Sequence, residues 1–528
     1  MLLRGTALAG QAVAVGGVFF VLFVLRPAGL PRVALTPLVG RSLALVAAGA
    51  VGVAIAQGLA IVVQLVSLGD GGGWPLREVA GTTYFRVSVL RIVTCAALAA
   101  TAVAVRCGRD GAPAGSMLGE QDDSRVWWTL GALAVVLALS AAWLSHATAR
   151  LDHRLLAAVL DAGHQLAAAV WVGGLLHLTV AVLRRGGGPW PVSLLRRFST
   201  MALVAVVGLV SAGTALSVLY IDGVPALLGT SYGVMVVTKA VLLGLLLVLG
   251  AANFLAVRRL RDGGEVGLTR IRRFVEVELG LGLTVLFAAA SLTSLPPAVD
   301  VPERATVSEV ATRFTPQWPR LRSPAISELP VEDRDAPRTA ADRAWSEYNH
   351  HMAGFFVLTM GVLALLQRAR WGRWARHWPL VFLGLAAFLL VRNDPGAWPL
   401  GPLGFWASMA YPEVLQHRLF VVLVVGFGLF EWRVRAGRLG RRGAALVFPL
   451  LCAVGGGLLL THSHAMGDLK AEFLTEITHA PLGVLGLMAG WARWLELRLP
   501  PPDDALPGRL WAWAFSLVGV FLIFYRES

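Results

Sequence analysis

Charge is scarce in this 528-residue chain: 15% of its residues are Asp, Glu, Lys or Arg, against about 25% in soluble domains. With 56% hydrophobic residues and a mean hydropathy of +0.67, that deficit excludes an ordinary water-soluble fold. Cysteine is nearly absent. Cys95, Cys107 and Cys452 lie in or beside apolar runs and form no CxxC pair, which argues against a disulfide framework and against a thiolate metal site. The polar–apolar alternation of an outer-membrane barrel is missing. So is a GxxxxGKS/T phosphate loop, so an ATP-driven pump is not expected. No convincing internal repeat is visible.

What the chain has instead is a series of apolar runs of about 18 residues or more, the length that crosses a ~30 Å hydrocarbon core. Backbone groups in lipid must be satisfied within the segment, so the runs are expected to be helices. The fold class is therefore all-α, a polytopic transmembrane helix bundle of about 14 spans. The runs centre on 6–25, 42–66, 87–105, 126–146, 160–183, 199–220, 232–257, 274–295, 349–367, 377–391, 414–431, 444–461, 478–495 and 509–525. The first is basic and then apolar with no clear small-residue cleavage site, and is expected to be retained as a span. The chain is expected to divide into an eight-helix membrane domain (1–296), an outward polar loop (297–346) and a six-helix membrane domain (347–528). The polar loop is rich in Pro, Arg, Asp and Glu and has no His or Met. It either folds over the outer ends of the helices or merely tethers the two domains.

Net charge is +14 and nearly all the positive charge is arginine. The arginines sit between apolar runs, where they set topology, so nucleic acid is not an expected partner. With the span ends that flank them, the odd-numbered loops hold 28 Lys and Arg residues and the short even-numbered loops eight. That bias puts the odd loops in the cytoplasm and both termini outside. The expected setting is multi-pass in the cytoplasmic (inner) membrane, with the lipid bilayer as first partner.

The histidines, which played no part in setting that topology, gather on one side of it. Of eleven, nine (His146, His153, His164, His350, His351, His417, His462, His464 and His479) fall at or near outer span ends. Only His177 and His377 map toward the cytoplasm. Carboxylates accompany them: Glu347 and His350 are three residues apart, Glu413 and His417 four, Glu476 and His479 three. On a helix such spacings share a face, and Glu-x-x-His from neighbouring helices is how bundles hold metal pairs. Residues 461–479 read THSHAMGDLKAEFLTEITH. There His462, His464 and Met466 combine imidazole with thioether, a set suited to copper, Cu(I) above all. His350 and His351 are adjacent, about 100° apart on a helix, so their rings are expected to meet different partners. The candidate metal ligands of the back part are His350, His351, Glu413, His417, His462, His464, Met466, Glu476 and His479.

The front part carries a second pattern: Ser145-His146-Ala147 at a span end, then Asp161, His164, Trp171, Gly173 and Gly174 in the next span. Further on come RRFSTMAL (196–203), TSYGVMVVTKAVLLGLLLVLGAANF (230–254) and RRFVEVELGLGLTVLFAAASLTSLPP (272–297), with a looser TTYFRVSVLR (82–91) before them. In order and spacing these resemble the CopD copper-resistance membrane protein family over roughly residues 5–300. The resemblance implies a membrane protein of copper homeostasis, taking copper up or exchanging it with a periplasmic copper carrier. It adds His146 and His164, with Trp171 beside them, to the candidate positions. The back part lies outside it. The alternative reading is a membrane metalloenzyme or electron-transfer protein with a copper, iron or haem b site in the back part.

Overall fold

The computed structural model describes residues 2–69, 75–110, 124–145, 153–183, 192–262, 267–329, 339–369, 371–441, 443–461 and 469–527. Among them every regular element is helical, and thirteen helices are long and apolar enough to cross a membrane. The run expected over 478–495 is a helix of 20 residues starting at His479, but Arg493, Glu496 and Arg498 in its last turns leave it outside that set. Two compact units are present: Met1–Leu227 with Met235–Val301, and Leu228–Val234 with Pro302–Ser528.

The first unit is built from α1 (Leu2–Phe20), α2 (Arg32–Leu68), α3 (Leu76–Gly81), α4 (Thr83–Asp110), α5 (Ser124–Ala142), α6 (Arg154–Ala168), α7 (Gly174–His177) and α8 (Val192–Tyr220). It also takes most of α9 (Val224–Gly229) and α10 (Ser231–Arg261), and all of α11 (Leu268–Leu292). The run expected as one span over 160–183 is interrupted by π-helical turns at Ala169–Gly173 and Leu178–Leu183. Such turns are uncommon and often mark functional positions. Here one lies where two backbones touch: a Cβ on Gly173 would run into the Ala12 carbonyl of α1, and one on Gly16 into the Ala169 carbonyl. Small residues are what let helices approach this closely in lipid. Polar groups inside the unit are matched across helices. Arg91 donates to Gln11 Oε1 at 2.8 Å, to the Leu137 carbonyl at 3.0 Å and to Ser140 Oγ at 3.1 Å. Gln57 donates to Ser88 Oγ at 2.8 Å.

The second unit holds α12 (Val307–Phe314), α13 (Ala340–Leu366), α14 (Val381–Arg392), α15 (Phe405–Met409), α16 (Pro412–Arg435), α17 (Val447–Thr461), α18 (Leu469–Glu476), α19 (His479–Arg498) and α20 (Ala505–Ile523). Its core is aromatic. Trp378, Phe448 and Trp511 are buried and meet edge to face, with Phe448 ring centroids 5.5 Å from Trp378 and 5.7 Å from Trp511. Each such pair adds about 0.5–1.5 kcal/mol beyond its buried area.

Part of the polar stretch is folded rather than a bare tether. Thr306 and Glu309 close a reciprocal cap on α12, satisfying two donors that a helix start otherwise leaves open. Ala305 and Val310 then pack against Phe473, Leu474 and Ile477 at α18. Lys470 reaches Glu309 at 2.9 Å, and the Ala305 N–H donates to the Gly229 carbonyl at 3.0 Å.

Candidate functional site

Four nominated residues, His146, His462, His464 and Met466, lie outside the described residues. The others can be placed. Among the described residues no group of three His, Cys, Asp or Glu side chains is gathered closely enough to hold a metal ion. What the fold does bring together is a smaller set around one tyrosine.

Tyr525 follows the end of α20, beside the first half of α13 and the start of α19. The His350 ring stacks on it, with centroids 4.0 Å apart and planes 24° apart. The His479 ring lies 6.4 Å from the same centroid. Two imidazoles far apart in sequence therefore flank one phenol. Next to them is Glu527, buried at 6% exposure. Its Oε2 accepts from Tyr525 Oη at 3.0 Å and from Ser346 Oγ at 2.5 Å. Glu347 takes the Glu527 N–H at 3.4 Å and the Arg320 Nε–H at 3.1 Å. A cavity of about 250 Å³ opens beside this set, between Trp318, Arg320, Glu347, His351 and Tyr525.

The two adjacent histidines have opposite chemistries. His350 Nδ1–H donates to the Ser346 carbonyl at 2.9 Å, so its Nε2 carries the lone pair a metal would use. His351 is committed at both nitrogens: Nδ1 accepts the Arg320 N–H and Nε2–H donates to the Tyr525 carbonyl, each at 2.8 Å. With 5% exposure it clamps the polar segment to the end of α20. A ring so bonded has no lone pair left for a metal.

His417 takes a partner from another helix end. Its Nδ1–H donates to Asp394 Oδ1 at 2.8 Å, which leaves Nε2 as the outward acceptor on a ring that is 46% exposed. A carboxylate behind an imidazole is the arrangement that orients metal-bound histidines. Glu413, the expected companion in the first turn of α16, is within electrostatic reach but is not the ring's hydrogen-bond partner. Glu476 is the last residue of α18, and a two-residue turn, Ile477–Thr478, separates it from His479. The two therefore do not share one continuous helix, as their spacing had suggested.

In the first unit, His164 Nδ1–H donates to the Leu209 carbonyl of α8 at 3.0 Å, and its ring lies against Gly213. Lys239 of α10 is within electrostatic reach of both Asp161 and His164, and Asp161 also accepts from Gln165 at 2.8 Å. Charges at membrane depth cost roughly 2.5–3.5 kcal/mol each on the lenient scale, so they persist when partnered or useful. His177 is fully buried, its Nε2–H bonded to the Val13 carbonyl at 2.9 Å.

On α12 two groups have displaced ionisation. The Thr306 backbone N–H, then the Lys470 ammonium, hold the Glu309 carboxyl down at about 2. Burial, with Arg526 beside it, lowers Arg313, whose guanidinium donates to the Glu527 carbonyl. Sequence reasoning did not nominate Tyr525, Glu527, Ser346 or Asp394. The available signal for Tyr525 and Glu527 was the span count, which returns the end of α20 to the histidine-rich face. Nothing in the spacing pointed to Asp394.

Residues 192–292 match the family model CopD, Copper resistance protein D. That interval runs from the start of α8 to the end of α11. The copper transport protein CutJ of Bacillus subtilis (strain 168) is 33% identical over 173 residues, covering 32% of this chain and 30% of that protein. The inner membrane protein YebZ of Escherichia coli (strain K12) is 30% identical over 138 residues, covering 25% of this chain and 47% of that protein. The chain thus spans less than half the length of the curated relatives it matches. No solved structure matches. Residues 192–292 of this multi-pass membrane protein are therefore similar to the CopD family.

Proposed function

We propose that the chain is a copper-handling protein of the cytoplasmic membrane, with copper as its cargo. In this reading both termini and the 296–346 segment face outward, and capture takes place at the outer ends of the second unit's helices. The observation that carries it is the meeting of His350 and His479 at the Tyr525 ring. His350 offers Nε2 as a lone pair because its Nδ1–H is held by the Ser346 carbonyl. His462, His464 and Met466 stand in the segment that links α17 to α18, just ahead of His479 in sequence. They supply the softer ligands that Cu(I) prefers. The CopD match over α8–α11 supports copper as the metal.

The ion would then pass inward through the membrane or on to a periplasmic carrier. Reconstitution in liposomes loaded with a Cu(I) chelator tests the first route. Saturable uptake that falls at least tenfold in His479→Ala and His462→Ala, and not in His377→Ala, is the expected result. Uptake no faster than in protein-free liposomes would refute carriage. Tightly held metal without uptake would shift the assignment to a fixed-site metalloprotein.

A further inference from the structure

The opposite end of the second unit carries a different kind of site. A cavity of about 630 Å³ is lined by Arg368, Arg435, Arg493 and Arg509, with Gln367 and Glu496. Four guanidiniums thus share one space with a single lining carboxylate. Glu496 is taken by Arg368 and Arg493 and by the Trp511 indole N–H at 2.6 Å. Arg435 pairs with Glu431 through Nε at 2.6 Å and donates from Nη1 to Gln367 Oε1 at 3.3 Å. Its side chain is only 5% exposed and stands over Trp378, with Cζ 4.5 Å from the ring centroid.

The donor count does not close. Among the described residues, Nη2 of Arg435 and Nε of Arg493 are buried without an acceptor. Arg509 lines the same cavity at its exposed mouth. Buried charged donors are normally satisfied. Here the cations outnumber the carboxylates, Glu431 included, by two. A group that brings negative charge and several acceptor oxygens would balance the set, and guanidinium forks match phosphate oxygens two at a time.

We infer that this cavity binds a phosphate-type oxyanion, contributed by a phospholipid headgroup or by a soluble phosphate compound. The volume falls in the range of small-ligand sites. All lining elements reach it at their arginine-rich ends, the side the charge bias assigns to the cytoplasm, where anionic headgroups seat in basic pockets between helices. The inference is independent of copper: no nominated metal ligand lines the cavity.

The test uses the full chain and follows its melting temperature by tryptophan fluorescence. In detergent, inorganic phosphate is titrated against chloride at equal ionic strength. In parallel, nanodiscs of phosphatidylcholine are compared with nanodiscs containing phosphatidylglycerol. A saturable rise of several degrees with phosphate, absent with chloride, assigns the site to a soluble anion. A rise confined to phosphatidylglycerol assigns it to the headgroup. Arg509→Gln, at the exposed mouth, should weaken the response several-fold while the protein stays folded. Arg435→Gln should abolish it, and if that variant does not fold, Arg509→Gln decides. No response beyond chloride and phosphatidylcholine in the wild type, or an unchanged response in Arg509→Gln, overturns the inference.

Discussion

At the Tyr525 end of the second unit the side chains on offer are imidazole lone pairs, a carboxylate and hydroxyls. At the Arg435 end they are guanidiniums spread over tryptophan faces. The same helices, α13, α19 and α20, supply both ends. One end can donate electron pairs to a cation; the other can donate hydrogen bonds to an anion. The difference shows how a bundle with few charges keeps two ionic chemistries apart: it places them a membrane thickness away from each other along shared helices. The Trp378–Phe448–Trp511 core belongs to the second of these ends: Arg435 stands over all three rings, and the Trp511 indole N–H donates to Glu496.

The largest effect is expected at Arg435. Replacing it by Met leaves Glu431, 2% exposed, without its cation. Losing one partner of a buried pair costs about 3–5 kcal/mol. Chemical denaturation should show that loss, and the double change Glu431→Leu with Arg435→Met should recover most of it. A single-variant cost under 1 kcal/mol would mean that the pair is solvated. At the other end, His350 and His351 separate binding from stability. His351→Ala removes an acceptor from the part-buried Arg320 N–H and a donor from the buried Tyr525 carbonyl, and should cost about 1–3 kcal/mol. His350→Ala should leave stability within about 1 kcal/mol while weakening Cu(I) affinity at least tenfold. Equal effects of the two substitutions on copper would erase the distinction drawn from their hydrogen bonds.

The smallest effect expected is at Glu309. Its carboxyl is held from the ordinary 4.5 down to about 2 by the Thr306 N–H first and Lys470 next. A carboxyl lowered on folding stabilises at pH values above its unfolded pKa and loses that contribution as pH falls through the folded one. Docking of α12 on α18 should therefore weaken only between about pH 4.5 and 2, and hydrogen exchange in Val307–Phe314 reads it. Loosening already at pH 6 would assign the docking to another group.

Much of the helical fold was legible because lipid enforces it: apolar length and helical satisfaction of the backbone leave few other solutions. The π turns at Ala169–Gly173 were not, since they answer to the backbone of α1, which the local sequence does not contain. At the candidate site, the histidines could be found by type and depth. Their roles could not, because a ring's second nitrogen decides them. His350 and His351 look alike in sequence, yet one is held at Nδ1 alone and the other is consumed at both nitrogens. His417 shows the same gap: Glu413, one turn away, was the visible partner, while Asp394 arrives from the end of α14.

The most direct test is the Cu(I) content of the purified full chain after exposure to reduced copper and removal of excess. It should be measured for the wild type and for His350→Ala, His479→Ala and His351→Ala. Metal retained by the wild type and by folded His351→Ala, but lost from His350→Ala and His479→Ala, is the predicted result. Copper held at full stoichiometry by both His350→Ala and His479→Ala would contradict the claim that imidazoles gathered at Tyr525 hold the ion.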